Sequence, residues 1–293
     1  MLKKINDSTK NRILLIIAAV LAVLYLLSFT TAASSKDKRE KLKTSLVNPK
    51  YKENITSFEL SDSTGTLELK KQGSFWTAGS LPASNERIEK LISDLTTIRN
   101  LYKISDKITE NSTFGLTNGT EFHLRYYTDS GFHELAFGNQ DFSLSSRYMM
   151  TEKSTQVYEI DDSFDKYLTT SIQSWSEPYI ISRQILGNIT QNDIQTVNTK
   201  LLDQQKIGQL LELRHGGAVN EDTEIPLTKP VLNLSLELGN KKSIVLEIFD
   251  EQNPNETSYI VKSEYKNEAG RTEYTAFCKI SGWTYSKIKE IIL

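Results

Sequence analysis

The chain has 293 residues, 38% of them hydrophobic and 9% aromatic, enough apolar side chain to build a core and to exclude disorder throughout. Its 35 basic and 37 acidic residues leave a net charge of -2, so there is no cationic excess to neutralise phosphates, and a nucleic-acid surface is excluded. A single cysteine, Cys278, excludes an intramolecular disulfide framework and a cysteine-rich metal site, and it lies far from any lipidation position.

The first element is the run Ile13–Phe29, ILLIIAAVLAVLYLLSF, which holds no charge, Gly or Pro. As a helix it spans roughly 25 Å at 1.5 Å per residue, and the tail to Ala33 extends it to the hydrocarbon thickness of a bilayer. A core helix would keep a polar stripe, and this run has none. A cleaved signal peptide is the rival reading, with Lys3, Lys4, Lys10 and Arg12 ahead of the run and Thr31-Ala32-Ala33 as a small-residue cleavage site. The run exceeds the usual leader length of about 7–15 residues, which favours an uncleaved anchor. Basic residues balance on the two sides of the run, so orientation rests on the long C-terminal portion being translocated. The expected organisation is a cytoplasmic tail over 1–12, an anchor over 13–33, a polar linker over 34–50, and two units over 51–180 and 181–293.

Beyond the linker, which Asn48-Pro49 ends, period-two alternation marks strands at Ile55–Leu60 and Leu67–Leu69, followed by a turn and short strand at Gly73–Trp76. Ile88, Leu91, Ile92, Leu95, Ile98 and Leu101 then form the best helical stripe of the chain, opened at Leu81-Pro82-Ala83-Ser84. Phe122–Tyr126 and Leu135–Phe137 form a hairpin, Arg147–Met150 and Gln156–Ile160 a strand pair, and Asp161 caps a short helix. Ile194–Val197 is a strand, Leu201–Leu213 a weaker helix, and the longest loop starts at Gly216-Gly217 and runs through Pro226 and Pro230. Val231–Leu238 and Ser243–Phe249 turn about Gly239-Asn240, Asn253-Pro254-Asn255 turns, Tyr259–Val261 pairs Glu273–Ile280, and Trp283–Ile292 closes the chain as a helix.

The two halves repeat one order: strand, helix, hairpin, strand pair, short helix. FHLRYY at Phe122 matches LNLSLE at Leu232, SRYMM at Ser146 matches TSYIV at Thr257, and QVYEIDDSFDKYL at Gln156 matches AFCKISGWTYSKI at Ala276. The second half lacks a counterpart of the Leu67 strand and of Trp76. The expected fold is therefore α+β: an N-terminal transmembrane helix, then two related units, each an antiparallel sheet with a covering helix.

Trp76, Leu81-Pro82-Ala83, the Ile88–Leu101 stripe, Phe114-Gly115-Leu116 and Arg183-Gln184-Ile185-Leu186 with Ile194 together resemble the bacterial domain-of-unknown-function family 4340. This chain departs from the usual pattern in having Phe114 where Tyr is common. The resemblance implies a single-pass envelope protein with a duplicated α+β exterior. It also implies company with gliding-motility-type ABC transporter components, as an auxiliary subunit. It implies no catalytic residues.

The residues themselves contain no nucleophile elbow, phosphate-binding Gly-rich loop, dinucleotide turn or His-Glu-x-x-His helix. His123 and His133 lie on opposite arms of one hairpin; centring its turn on Ser130 sets His123 opposite Phe137. They and His215 read as surface histidines rather than metal ligands. Asp161-Asp162 reads as a cap and Glu221-Asp222 as a solvated loop. No catalytic, cofactor-binding or metal-ligating residue is assigned, and no cofactor. The one surface-like aromatic cluster is Trp175-Ser176-Glu177-Pro178-Tyr179. Trp175 and Tyr179 are candidates either for docking a partner or for stapling the two units together. The expected role is a non-enzymatic, membrane-anchored extracytoplasmic accessory protein, an auxiliary subunit of an ABC-type transport system, partnered by the bilayer and by transporter components and not by nucleic acid. The alternatives are an envelope hydrolase of unrecognised type and a ligand-binding protein released by cleavage.

Overall fold

The computed structural model describes residues 15–27, 40–108, 113–117, 119–151, 154–219, 229–251 and 257–293. Helix α1 covers 15–27, and every residue in it is exposed and uncharged, Tyr25 at 65% and Leu21 at 61% among them. No helix among the described residues is long and apolar enough to cross a membrane. The remainder of the expected span, 13–14 and 28–33, lies outside the described residues, as do the Glu221-Asp222 pair and the Asn253-Pro254-Asn255 turn.

The body is α+β with two antiparallel sheets and few helices. The first sheet draws on β1 (Lys41–Thr44), β2 (Ser57–Asp62), β3 (Gly65–Gln72), β4 (Phe75–Ala78), β5 (Leu81–Pro82), β6 (Arg99–Ser105), β7 (Phe122–Thr128), β8 (Gly131–Gln140), β9 (Ser146–Thr151) and β10 (Val157–Asp161). Its spatial order is β1-β6-β10-β9-β8-β7-β2-β3-β4-β5. Helix α2 (Asn85–Thr96) packs on it through Ile88, Leu91, Ile92 and Leu95. After a 3-10 turn at Asp162–Tyr167, a short helix α3 (Ile172–Trp175) leads to the second sheet. That sheet holds β11 (Ile194–Val197), β12 (Gly217–Ala218), β13 (Leu232–Leu238), β14 (Ser243–Asp250), β15 (Ser258–Lys266) and β16 (Thr272–Ser281), ordered β11-β13-β14-β15-β16-β12. Helices α4 (Gln204–Leu211) and α5 (Gly282–Ile292) cover it.

The two strand orders correspond. The run β2-β7-β8-β9-β10-β6 in the first sheet has the same succession and pairing as β11-β13-β14-β15-β16-β12 in the second, with α2 and α4 at the same point of the chain. Matching details follow. Asp141 N donates to Ser146 O at 2.8 Å, and Glu251 N to Ser258 O at 3.2 Å. Asp162 N donates to Ser145 O at 3.3 Å, and Gly282 N to Thr257 O at 3.0 Å. Asp161 caps the first closing turn and Ser281 caps α5. Ser146 pairs Asp161 and Ser258 pairs Ser281, so Ser146 corresponds to Ser258, one residue on from the match at Thr257 that the sequence suggests.

Three boundaries differ from expectation for local reasons. The helical stripe ends at Thr96, not Leu101. Thr96 Oγ1 donates to Ile92 O at 2.8 Å and Thr97 Oγ1 to Ser93 O at 2.8 Å, diverting the last turn, and Leu101 belongs to β6. The linker over 34–50 is not all linker: Lys41–Thr44 is β1, antiparallel to β6, and Leu46 and Val47 are buried. Four residues of mixed character carry no periodicity that could announce a strand. Third, β12 begins at Gly217, whose φ of +140° a β-carbon would resist, where a loop was expected.

Candidate functional site

The chain crosses from one unit to the other between Tyr167 and His215, and the least ordinary side chains of the body collect there. Residues 175–177 run beside 82–84: Ser84 N donates to Trp175 O at 2.8 Å, Glu177 N to Pro82 O at 2.8 Å, and Ala83 bridges Ser176. Trp175 is fully buried, stacks on Tyr167 with centroids 6.1 Å apart, and donates Nε1 to Thr169 O at 2.9 Å. The Arg87 guanidinium lies 4.6 Å from the centre of its ring. Trp175 therefore offers no surface for docking; its ring belongs to the first core. Tyr179 is half-buried, with Arg183 4.7 Å and Arg214 5.9 Å from its ring centre, and its backbone bridges Arg214. The two docking candidates thus face different units.

Between them sits Glu177, 5% exposed. Its Oε2 accepts from Ser182 Oγ at 2.6 Å and its Oε1 from Arg183 N at 3.3 Å. Its main-chain oxygen lies 2.8 Å from His215 Nε2. Ser182 N donates to the hydroxyl of the fully buried Tyr265 at 2.7 Å. Burial pushes the Glu177 carboxyl above its ordinary value, against the opposing pull of Ser182, Arg183 N and the Arg183 charge. Burial pushes His215 down and the Tyr265 hydroxyl up. His215 Nδ1 is sealed without a partner. Sequence reasoning passed over Glu177 and Ser182. The available signal was a carboxylate four residues before the apolar pair Ile180-Ile181 ends, in a stretch otherwise aromatic and apolar.

His123 and His133 are half-buried, and His215 is not a surface residue. His215 is 8% exposed, with its Nε2 against the Glu177 main-chain oxygen. The hairpin turn is the two residues Asp129-Ser130, so His123 pairs Ala136, not Phe137. That register places Glu134 on the His123 face: the His123 Nδ1 and Glu134 Oε1 atoms are bonded, and Arg125 reaches Glu134 at 3.2 Å and Glu59 at 2.8 Å. His133 stacks on Tyr126 with centroids 5.0 Å apart. Among the described residues no group of three or more His, Cys, Asp and Glu is arranged to hold a metal ion. Cys278 is buried, which pushes its thiol up to about 12.

The fold defines an α+β protein of two antiparallel sheets, with a buried, hydrogen-bonded carboxylate where the chain crosses from one sheet to the other. The model of a domain of unknown function, DUF4340, matches residues 75–241, and the chain belongs to that family. The match starts at β4, ends just after β13 and has the junction inside it. No curated protein and no solved structure matches the chain.

Proposed function

We propose that the protein is a membrane-tethered, extracytoplasmic accessory subunit without chemistry of its own, serving an ABC-type envelope transport system. The observation that carries this reading is α1. Thirteen consecutive uncharged residues of this helix all stand exposed, and apolar surface of that extent is stabilised by hydrocarbon, not water. The neighbouring residues of the Ile13–Phe29 run continue the same character. The transporter as partner rests on the family resemblance. The Glu177 cluster supports a scaffold role, since both carboxylate oxygens are used internally.

The test is an introduced cysteine at exposed Thr199, read with a membrane-impermeant maleimide on intact cells; Cys278 is buried and stays silent. Labelling from outside, with the protein in the membrane fraction, is the expected result. A protein in the soluble fraction, or one labelled only after lysis, overturns the tether. Gentle solubilisation and purification should bring down the ATPase and permease of one transporter in fixed ratio. Their absence overturns the partner.

A second reading, an extracytoplasmic hydrolase, is favoured by the meeting of Glu177, Ser182 and His215 between the units. His215 reaches the Glu177 main chain rather than its carboxylate, and neither group is exposed, so the scaffold reading is preferred. N-terminal sequencing of the mature protein tests the third alternative, release by cleavage near Ala33.

A further inference from the structure

Outside the junction, a cleft of about 470 Å³ opens between one face of α2, the β3–β4 turn and the residues leading into β2. Its floor is apolar: Ile55, Trp76 and Ile92 are 1%, 5% and 7% exposed. Four charged side chains stand around it, Lys52 and Lys71 with Glu53 and Glu89. None of the four makes an ion pair or hydrogen bond among the described residues. Ion pairing is common elsewhere on this body, as in the Lys262–Glu264 and Arg147–Asp165 pairs. Two cations and two anions converge on one cleft without neutralising one another.

Polar groups in the floor point the same way. Asn85 Oδ1 accepts from Trp76 N at 3.1 Å, which leaves the Asn85 amide N–H groups free to donate. Among the described residues the Trp76 indole N–H has no hydrogen-bond partner, and Trp76 lines the cleft. An indole donor on a residue that lines a cleft, without a protein partner, is a position for a ligand acceptor.

The second unit offers a comparison at the corresponding position. The apolar stripes of the two helices set Ile88, Leu91 and Ile92 against Ile207, Leu210 and Leu211, and the N-caps Ser84 and Asp203 then coincide. Glu89 thereby corresponds to Gly208, and a β-carbon at Gly208 would meet Gln191 Oε1 at 2.8 Å. That side chain, from the turn before β11, borders a smaller cleft of about 290 Å³ at the corresponding place in the second unit, lined also by Gly208 and Leu211. The first unit has the larger cleft, about 470 Å³, and lines it with residues of β3 and β4, strands without a counterpart among the described residues of the second unit.

We infer that this cleft is a binding site for a small zwitterion of the amino-acid or short-peptide class. Its carboxylate meets Lys52, Lys71 and the Asn85 and Trp76 donors. Its ammonium meets Glu53 and Glu89, and its apolar side chain rests on Ile55 and Ile92. A purely anionic ligand would leave the two glutamates opposed to it, and an uncharged one would leave all four charges unused.

The probe is the dipeptide alanyl-leucine, titrated into the full chain held in detergent micelles and followed by calorimetry. Saturable binding is expected. Blocking the dipeptide's amine by acetylation, or its carboxylate by amidation, is expected to weaken binding roughly tenfold or more, the scale of one lost charged contact. Lys71→Ala should weaken the free dipeptide by a similar factor and leave the amidated form unchanged, while Glu89→Gln should do the converse with the acetylated form. All of these positions are exposed, so folding is retained, and an unchanged melting temperature verifies it. No saturable binding up to about ten millimolar overturns the inference, as does equal binding of the free and doubly blocked dipeptides.

Discussion

Six strands follow the same order in both units, but the first unit carries additions at both edges of that common frame. At one edge β1 pairs with β6; at the other β3, β4 and β5 extend the sheet beyond β2. The additions make connections. β1 joins the frame to the chain coming from α1. β4 and β5 reach the other unit: Phe75 meets Tyr274 edge-on at 5.4 Å, Tyr274 donates to Ser80 O at 3.0 Å, and Phe75 and Leu81 belong to the second core. The shared frame specifies a core, and the unshared strands specify what that core is attached to.

This comparison can be broken most forcefully in the cores. Leu91→Ala and Leu210→Ala remove corresponding buried side chains, 0% and 2% exposed. Each should cost about 2–5 kcal/mol, measured by urea denaturation. Because β4 and β5 tie the units together, both should move one shared transition. Two separate transitions would show that the units melt independently.

Tyr265→Phe comes next. It leaves the buried Ser182 N–H without its acceptor, at a cost of about 1–3 kcal/mol by the same assay. A change near zero would show that the junction tolerates the loss, and the two-unit body would then be less tightly specified than its contacts imply. The helix caps are a finer comparison. Ser84→Ala and Asp203→Ala should each cost roughly 1 kcal/mol if the two caps are equivalent.

The smallest effect is a pH dependence. Glu177 has its folded pKa raised above 4.5, so its contribution is fully present below pH 4.5 and is lost as pH rises through the raised value. His215 has its folded pKa lowered below 6.5, so its contribution is present above pH 6.5 and is lost as pH falls through the lowered value. The two slopes oppose each other. Glu177→Gln should remove the loss on the alkaline side and leave the loss on the acidic side. Denaturation curves collected between pH 4 and pH 8 that are parallel for variant and parent would contradict this assignment.

Much of this body was legible in the sequence because its strands alternate and its helices carry stripes. Phe122, Leu124 and Tyr126 face inward, as do Leu234 and Leu236, and the matching strand orders were readable from such segments. β6 escaped because Ile98 and Leu101 happen to continue the spacing of α2, although Ile98 is 61% exposed and the helix has already ended. β1 and β12 escaped because two to four residues hold no period; neighbours specify them, not local pattern. The junction was legible only in its aromatics. That Trp175 would turn inward, and that Glu177 would find Ser182, depends on the path of the chain between two sheets, which no local spacing encodes. The cleft beside α2 needed Lys52, Lys71 and Glu89 from three separate segments and was invisible for the same reason.

The position of β1 has a practical side. Lys103 N donates to Glu40 O at 3.0 Å, Lys103 Nζ meets the Glu40 carboxylate at 2.9 Å, and Leu46 and Val47 are sealed in the core. A protease or an engineer who severs the body from its tether at Tyr51 would strip one edge of the first sheet and leave β6 as a bare row of amides inviting another chain. The safe cut lies ahead of Glu40, and a fragment made there should stay monodisperse where the shorter one aggregates.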